Sequence, residues 1–232
     1  MKAVILCAGH GTRLRPLTTY VSKAMVPVAG VPILERIICS LRDQGFAEMI
    51  VAVSWLGEQV THSFGDGARL GVSIEYSLNT EPSGTAGEVH YLRHLLAGEE
   101  HFLVHYGDIL TDLDVAGLMR EHLAHNAAAT IGLVTGVPVH TGVAEVAADG
   151  AVIRFVEKPP LEHPTNAAVF ALSGRVLARC APGRDFSTDI FPELIAAGEV
   201  VRGFVDENAY WLDVGRLSDL DAANEFFGSE SE

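Results

Sequence analysis

The 232-residue chain reads as a doubly wound α/β fold with a mainly parallel, mixed sheet. Three observations point there. The opening apolar run, Ala3 to Cys7, has no polar alternation, which suits a strand covered on both faces. Further strand-like runs then alternate with stretches of helical spacing, the pattern of a parallel sheet joined by crossover helices. Finally, 48% of the residues are hydrophobic, enough at this length to fill one sizeable core, so residues 1–232 are expected to form a single domain.

The first strand, carrying Val4, Ile5 and Leu6, breaks at Ala8, Gly9 and Gly11. Residues this small let backbone N–H groups approach an anion closely, Thr12 adds a hydroxyl donor, and Arg13 and Lys23 add full positive charges. The loop can therefore wrap phosphate oxygens, although a plain glycine turn is the other reading of the same spacing. It is neither of two familiar phosphate loops. GHGTRL has no lysine at the P-loop offset, and the sixth position of a dinucleotide fingerprint is Leu14.

Pro32 sits where a helix can begin, and Ile33, Leu34, Ile37, Ile38 and Leu41 repeat at helical spacing up to Gly45. Met49 to Val53 predicts a strand, Glu58 to Phe64 a short helix closed at Gly65, and Val72 to Tyr76 a third strand. EPSGTAGE, residues 81–88, places a turn at Pro82 to Gly84 and a helix from Thr85 through Leu96. His101 to Tyr106 is the next strand, with Gly107 and Asp108 at its carboxyl end, where such a sheet places its ligand crevice. Asp112 and Asp114 are expected to cap the helix that holds Leu118, Met119 and Leu123. Ala129 to Leu133 is another strand. Gly142 to Val146 and Val152 to Glu157, joined at Asp149-Gly150, predict a β-hairpin placed like a lid over one half of the crevice. Ser173 to Cys180 and Phe186 to Ala197 read as helices, with Pro192 near the start of the second's regular part, and Val200 to Val205 as a strand.

A net charge of −14 argues against nucleic acid or an anionic membrane as partner, because those surfaces need a basic face to release counterions. Any phosphate site must then be a local positive pocket. Cys7, Cys39 and Cys180 lack metal or redox spacing and are expected as reduced, buried thiols. With no signal-type segment and no membrane-length apolar run, a cytoplasmic chain is expected. The pairs His90/His94 and His122/His125 have no carboxylate or cysteine at motif spacing, so a transition-metal site is rejected and solvated faces are expected instead.

GHGTRLRPLT, Lys23 and VPVAGVPILE together resemble the signature of the sugar-1-phosphate nucleotidyltransferases, with Ala24 where that family usually has Pro. EPSGTAGE resembles its EPLGTAG segment, Gly107-Asp108 its GD pair, Glu157-Lys158-Pro159 its EKP motif, and Asn166-Ala167-Ala168-Val169-Phe170 its NAGIY, with Ala168 replacing Gly. WLDVG, residues 211–215, is similar to its closing W-x-D-V-G, although Arg216 stands where Thr is frequent. The marks run in the family's order from residue 1 to about 227, before any appended acyltransferase repeat.

The resemblance implies a Rossmann-like nucleotidyltransferase fold with a hairpin lid, residues 1–127 handling the nucleotide and 128–232 the sugar phosphate. It implies that Leu6, Ala8, Gly9, Gly11, Thr12, Gly84 and Thr85 bind a nucleoside triphosphate, and that Arg13 and Lys23 hold its phosphates. Lys158 would grip a sugar 1-phosphate, Gly142, Glu157 and Asn166 would bind the sugar, and Asp108 and Asp213 would hold Mg²⁺. The implied reaction is attack of the sugar phosphate on the α-phosphorus with loss of pyrophosphate. GTAG in the base loop favours GTP with a manno-hexose or heptose 1-phosphate, a uridylyl or thymidylyl enzyme being the alternative. A homo-oligomer is compatible with the pattern. Two other classes compete. A regulatory subunit that binds nucleotide-sugar without turnover would be expected to have lost the charged residues, and a nicotinamide-dependent oxidoreductase fails at Leu14.

Overall fold

A computed structural model describes residues 1–139 and 141–229. In chain order it comprises β1 (Lys2–Cys7), β2 (Pro27–Val28), β3 (Val31–Pro32), α1 (Ile33–Asp43), β4 (Glu48–Val53), α2 (Gly57–Phe64), β5 (Ser73–Leu78), α3 (Thr85–Leu92), β6 (His101–Tyr106) and β7 (Ile109–Thr111). Then follow α4 (Val115–Ala124), β8 (Ala129–Val134), β9 (Val143–Val146), β10 (Val152–Val156), β11 (Thr165–Ser173), α5 (Phe191–Ala196), β12 (Val201–Asp206), β13 (Trp211–Asp213) and α6 (Leu217–Ser229).

Seven strands form the central sheet in the order β12-β8-β11-β6-β1-β4-β5. β1 lies parallel to both β4 and β6, β4 to β5, and β8 to β12, whereas β11 runs antiparallel between β6 and β8. The mixed, doubly wound sheet expected from the sequence is therefore present. β1 shows why its residues had to be uniformly apolar: Ala3 and Ile5 enter a core beneath α1, while Val4 enters a second core beneath α3 and α5. After β1 the chain moves to β4 and β5 on one side, then returns to place β6 on the other. The carboxyl ends of β1 and β6 thus flank a topological switch point.

Several boundaries differ from the expectation. α3 stops at Leu92 rather than Leu96, because Leu95 N–H and Leu96 N–H bond three residues back, to Leu92 (2.9 Å) and Arg93 (3.2 Å), tightening the chain. Gly174–Arg179 is a 3₁₀ helix, and Phe186–Ile190 is a π turn that precedes α5, with Pro192 in α5's first turn. Strand β11 was not foreseen. Asp114 caps α4 by accepting Gly117 N–H at 2.7 Å, but Asp112 instead accepts Tyr210 N–H at 2.8 Å and ties down the β7–β13 ladder.

β9 and β10 pair antiparallel apart from the main sheet, closed by Ala147 N–H to Ala151 C=O at 2.8 Å, with Gly150 at φ +89° in the turn. Its apolar residues Val152 and Phe155 are 61% and 65% exposed, so the hairpin is held by its own pairing rather than by the core. None of the helices among the described residues is long and apolar enough to cross a membrane.

His122 corrects the expectation of solvated histidines. It is fully buried, with its ring nitrogens at 3.0 Å from Thr130 Oγ1 and 3.1 Å from His101 Nδ1. Burial first, then the His101 and Arg175 charges, lower its pKa to about 4. A histidine whose folded pKa lies below its unfolded value contributes stability that is fully present above about pH 6.5 and lost as pH falls towards 4. Between pH 7 and 4.5 the protein is expected to lose about 2 kcal/mol more stability than a His122→Leu variant. Urea denaturation of both proteins across that range checks it, and parallel curves would disprove it.

Candidate active site

A cavity of about 480 Å³ opens at the switch point. The loop after β1 supplies one wall, residues 80–85 and α3 a second, and Tyr106-Gly107-Asp108 the floor. Of the residues singled out in the sequence, Leu6, Ala8, Gly9, Gly11, Thr12, Arg13, Lys23, Gly84, Thr85 and Asp108 all line it.

Local chemistry shapes the loop. Gly11 sits at φ +60°, a conformation that costs other residues about 1 kcal/mol, and its carbonyl accepts Thr18 Oγ1–H at 2.7 Å. Ser54 Oγ donates to the carbonyl of Ala8. Lys23 is presented by a 3₁₀ turn closed by Met25 N–H to Ser22 C=O (2.8 Å) and Val26 N–H to Lys23 C=O (3.1 Å). Ala24, in place of the resembled family's Pro, is buried inside that turn, which closes without the ring.

The charged groups converge. Lys23 Nζ lies 2.6 Å from Asp108 Oδ2 in a partly buried ion pair. Asp213 is distant in sequence but arrives beside Asp108 because β13 pairs antiparallel with β7, Asp213 opposite Ile109, and Val214 N–H bonds Asp108 C=O at 2.9 Å. Gly215 completes the approach. A Cβ there would lie 3.0 Å from Asp213 Oδ1 and 3.1 Å from an Arg13 guanidinium nitrogen, so both side chains crowd the same small volume. Burial, then the Asp108 charge, push the Asp213 carboxyl above the usual range, opposed by Lys23 and Arg13.

Asp213 Oδ1 is buried without a hydrogen-bond partner. An orphaned carboxylate oxygen beside a second carboxylate is the donor set of a hard divalent cation, which takes one or two carboxylates and fills its remaining positions with water and substrate oxygens. Among the described residues no group of three or more His, Cys, Asp or Glu side chains converges, so such a cation would depend on substrate oxygens as well. Cys7, next to Asp108, is no nucleophile. Burial, then the Asp108 charge, raise its thiol to about 12, so it stays protonated at neutral pH.

Of the cavity residues that the sequence did not single out, Asp185, Tyr106 and Glu88 bear most on its chemistry. Asp185 Oδ1 accepts both Thr85 N–H and Thr85 Oγ1–H at 2.9 Å, while Phe186 N–H bonds Thr85 Oγ1 at 3.0 Å. Arg184 C=O takes Ala86 N–H (3.0 Å) and Gly87 N–H (3.1 Å). The α3 N-terminus is thereby capped by a segment 100 residues away, and Thr85 holds the wall in place rather than offering free donors. Tyr106 lies on the floor, its phenol raised by burial to about 12. Glu88, on α3, is a nearly buried carboxylate held by Ser83 and Asn79. Nothing in the composition or motif spacing of EPSGTAGE separates Glu88 from an ordinary helix residue.

The sugar-binding candidates lie outside the residues lining this cavity. Lys158, at φ +48°, is exposed after β10, in a segment joined to the chain after β8 by Val139 N–H to Pro159 C=O (2.9 Å) and Leu161 N–H to Val137 C=O (2.8 Å). Glu157 and Gly142 face one another across the hairpin base, where a Cβ on Gly142 would meet Glu157 Oε2 at 2.8 Å. Asn166 Oδ1 accepts Ala168 N–H at 2.8 Å, and its Nδ2 lies 3.3 Å from Ser187 Oγ. Ala168 itself is buried at φ +58°, where the β11–β8 register slips and where Gly in the resembled motif would fit without strain. The cluster is tied to the cavity by Trp211, whose Nε1–H bonds Ala167 C=O at 3.1 Å two residues before Asp213.

A family model described as nucleotidyl transferase matches residues 2–230. A mannose-1-phosphate guanylyltransferase from Mycobacterium tuberculosis is 34% identical across 94% of this chain and 62% of its own length. A UTP–glucose-1-phosphate uridylyltransferase from Synechocystis is 32% identical across 94% of this chain and 61% of its own. The chain therefore spans about six-tenths of the length of these curated relatives. The solved structure of HddC from Yersinia pseudotuberculosis complexed with GMP-PN superposes with a TM-score of 0.77 at 26% identity, covering 97% of this chain and 99% of that one.

Proposed function

This chain belongs to the nucleotidyl transferase family, and from that premise we propose that it transfers a guanylyl group from GTP to a sugar 1-phosphate of manno-hexose or heptose configuration, releasing pyrophosphate. The observation that carries this reading is the approach of Asp213 to Arg13, Lys23 and Asp108, three charged residues that line the cavity walled by the glycine loop.

Nucleophile and electrophile are both anions, and two unit charges about 4 Å apart repel by ~4 kcal/mol at an effective dielectric of 20. That is roughly three decades of rate, so neutralising and aligning charge is the main catalytic task. Gly9, Gly11 and Thr12 direct donors at the triphosphate, and Arg13 and Lys23 offset its charge. The base lies against Gly84 and the wall formed by residues 80–85. Lys158, Glu157, Asn166 and the backbone of Gly142 bring the sugar phosphate from the hairpin side, the hairpin acting as lid. The attacking phosphate oxygen is already ionised at neutral pH, so no protein base and no covalent intermediate are required. Asp108 and Asp213 would hold Mg²⁺, a choice supported by the unpartnered Oδ1 of Asp213. When bound, that ion supplies Lewis-acid neutralisation of phosphate oxygens. The reaction is proposed to take place in the cytoplasm, where nucleoside triphosphates and sugar phosphates are available.

The likeness to a uridylyltransferase at similar identity keeps UTP as the second reading. Pyrophosphate release over four nucleoside triphosphates and a panel of hexose and heptose 1-phosphates tests both: GTP with a manno-configured acceptor is expected to lead, and no turnover with any pair would refute transfer altogether. In the same assay Lys158→Ala is expected to raise KM for the sugar phosphate about 10-fold or more, as loss of a charge-assisted hydrogen bond does, with KM for the nucleotide changed far less. Equal changes in both constants would remove Lys158 from the acceptor site.

A further inference from the structure

The nucleotide cavity contains an acidic group that phosphate binding does not call for. Glu88 is 7% exposed and lines the cavity from the first turn of α3, in the wall that residues 80–85 begin. Its Oε1 accepts Ser83 Oγ–H and, at 3.0 Å, Asn79 Nδ2–H. Asn79 Nδ2 also reaches Glu81 C=O (3.0 Å) and Ser83 Oγ (3.1 Å), so the carboxylate is anchored through one oxygen to the turn that shapes this wall. Among the described residues Oε2 has no hydrogen-bond partner, and it is not closed off from the cavity as Asp213 Oδ1 is from solvent. A buried carboxylate with one oxygen fixed and one unused is a preorganised acceptor that remains unsatisfied until a ligand donates to it.

The pairing edges of the bases differ in what they can offer such an acceptor. Guanine presents two adjacent donors, N1–H and N2–H, which match a carboxylate. Uracil and thymine present one N–H flanked by two carbonyl oxygens, which a carboxylate repels. Adenine presents an acceptor nitrogen beside its amine. We infer that Glu88 is a specificity-determining residue that selects guanine, its cavity-facing oxygen accepting from the N1–H and N2–H edge while Ser83 and Asn79 hold the carboxylate in place. The inference rests on the guanylyl reading above and deepens it, because it assigns the discrimination against pyrimidine nucleotides to one side chain.

Inosine triphosphate, which keeps N1–H and lacks the N2 amine, is the probe. In pyrophosphate release and in calorimetric binding by the wild-type chain, GTP is expected to exceed ITP by about 10-fold or more, the effect of removing one hydrogen bond to a charged group. Glu88→Gln is nearly isosteric and is expected to lower kcat/KM for GTP about 10- to 100-fold, to bring GTP and ITP within about threefold of each other, and to raise UTP relative to GTP. A role in bracing the turn alone would instead lower all nucleotides by one factor. That result, or a wild-type enzyme that uses GTP and ITP equally well, overturns the assignment while leaving guanylyl transfer standing. A wild-type preference for UTP overturns the guanine reading itself and Glu88's role with it. Ser83→Ala keeps the carboxylate and loosens its anchor. It is expected to reduce the preference for GTP over ITP partway, and an unchanged preference counts against the preorganised acceptor.

Discussion

Asp108→Ala is expected to release pyrophosphate at least about a thousandfold more slowly than the wild-type enzyme, a barrier increase of roughly 4 kcal/mol. Asp108 stands where the floor of the cavity, the Lys23 ion pair and the Asp213 carboxylate meet. Removing it leaves Lys23 without its partner at 2.6 Å, free to collapse onto other acceptors, and halves the carboxylate charge available to a divalent cation. Stability should change far less than turnover, because the Asp108 side chain is 27% exposed and water can solvate what remains. The measurement is kcat/KM over a Mg²⁺ titration, with a thermal melt as control for folding. A variant with its melting temperature preserved and its activity within tenfold of wild type would mean that the convergent carboxylates do not serve the reaction.

The second large effect is expected at Gly84. Its backbone lies at φ +72°, ψ 164°, a region that is essentially glycine-only, and a Cβ there would press into the Arg184 peptide, 2.9 Å from its carbonyl carbon. Gly84→Ala is expected to cost about 3 kcal/mol, combining backbone strain with the displacement of Arg184. That displacement matters because Arg184 C=O and the Asp185 carboxylate are the groups that satisfy the first amides of α3. The variant should therefore lose nucleotide affinity as well as stability, since the wall carrying Thr85 and Glu88 moves with the helix. Urea denaturation read together with GTP binding by calorimetry checks both halves. A stability change below 1 kcal/mol would show that residues 184–185 yield readily, and would remove the long-range cap as an anchor of the base wall.

Much of this protein was legible in its chain. The uniform apolar run of β1, the helical spacing of Ile33 to Leu41 in α1 and the Asp149-Gly150 turn of the β9–β10 hairpin are local signals, each produced by neighbours within a few residues. The glycine loop that lines the cavity was readable for the same reason: small residues, a hydroxyl and a cation occupy one contiguous bend. Asp108 was readable because a carboxylate directly after a core strand of an α/β sheet faces the crevice.

Other features depended on partners that sequence order hides. Strand β11 carries Ala167 to Leu172 as a buried apolar run, yet its antiparallel insertion between β6 and β8 follows from what those two strands leave open. Asp185 resembles any loop aspartate until Thr85 is seen to donate to it twice. His122 was expected in solvent because its pairing with Thr130 and His101 exists only once α4 lies on the sheet.

The sequence by itself determined the kinds of element, the chemistry of the glycine loop and the set of charged residues available to a phosphoryl centre, because propensity, periodicity and side-chain character act over short distances. Only the tertiary structure decided which of those residues meet. It set Asp213 beside Asp108 through the β7–β13 ladder, closed the start of α3 with residues 184–185, and turned Glu88 into a half-satisfied acceptor lining the cavity. Contacts of that kind arise from sheet order and crossover geometry, in which residues a hundred positions apart become neighbours without leaving any local trace.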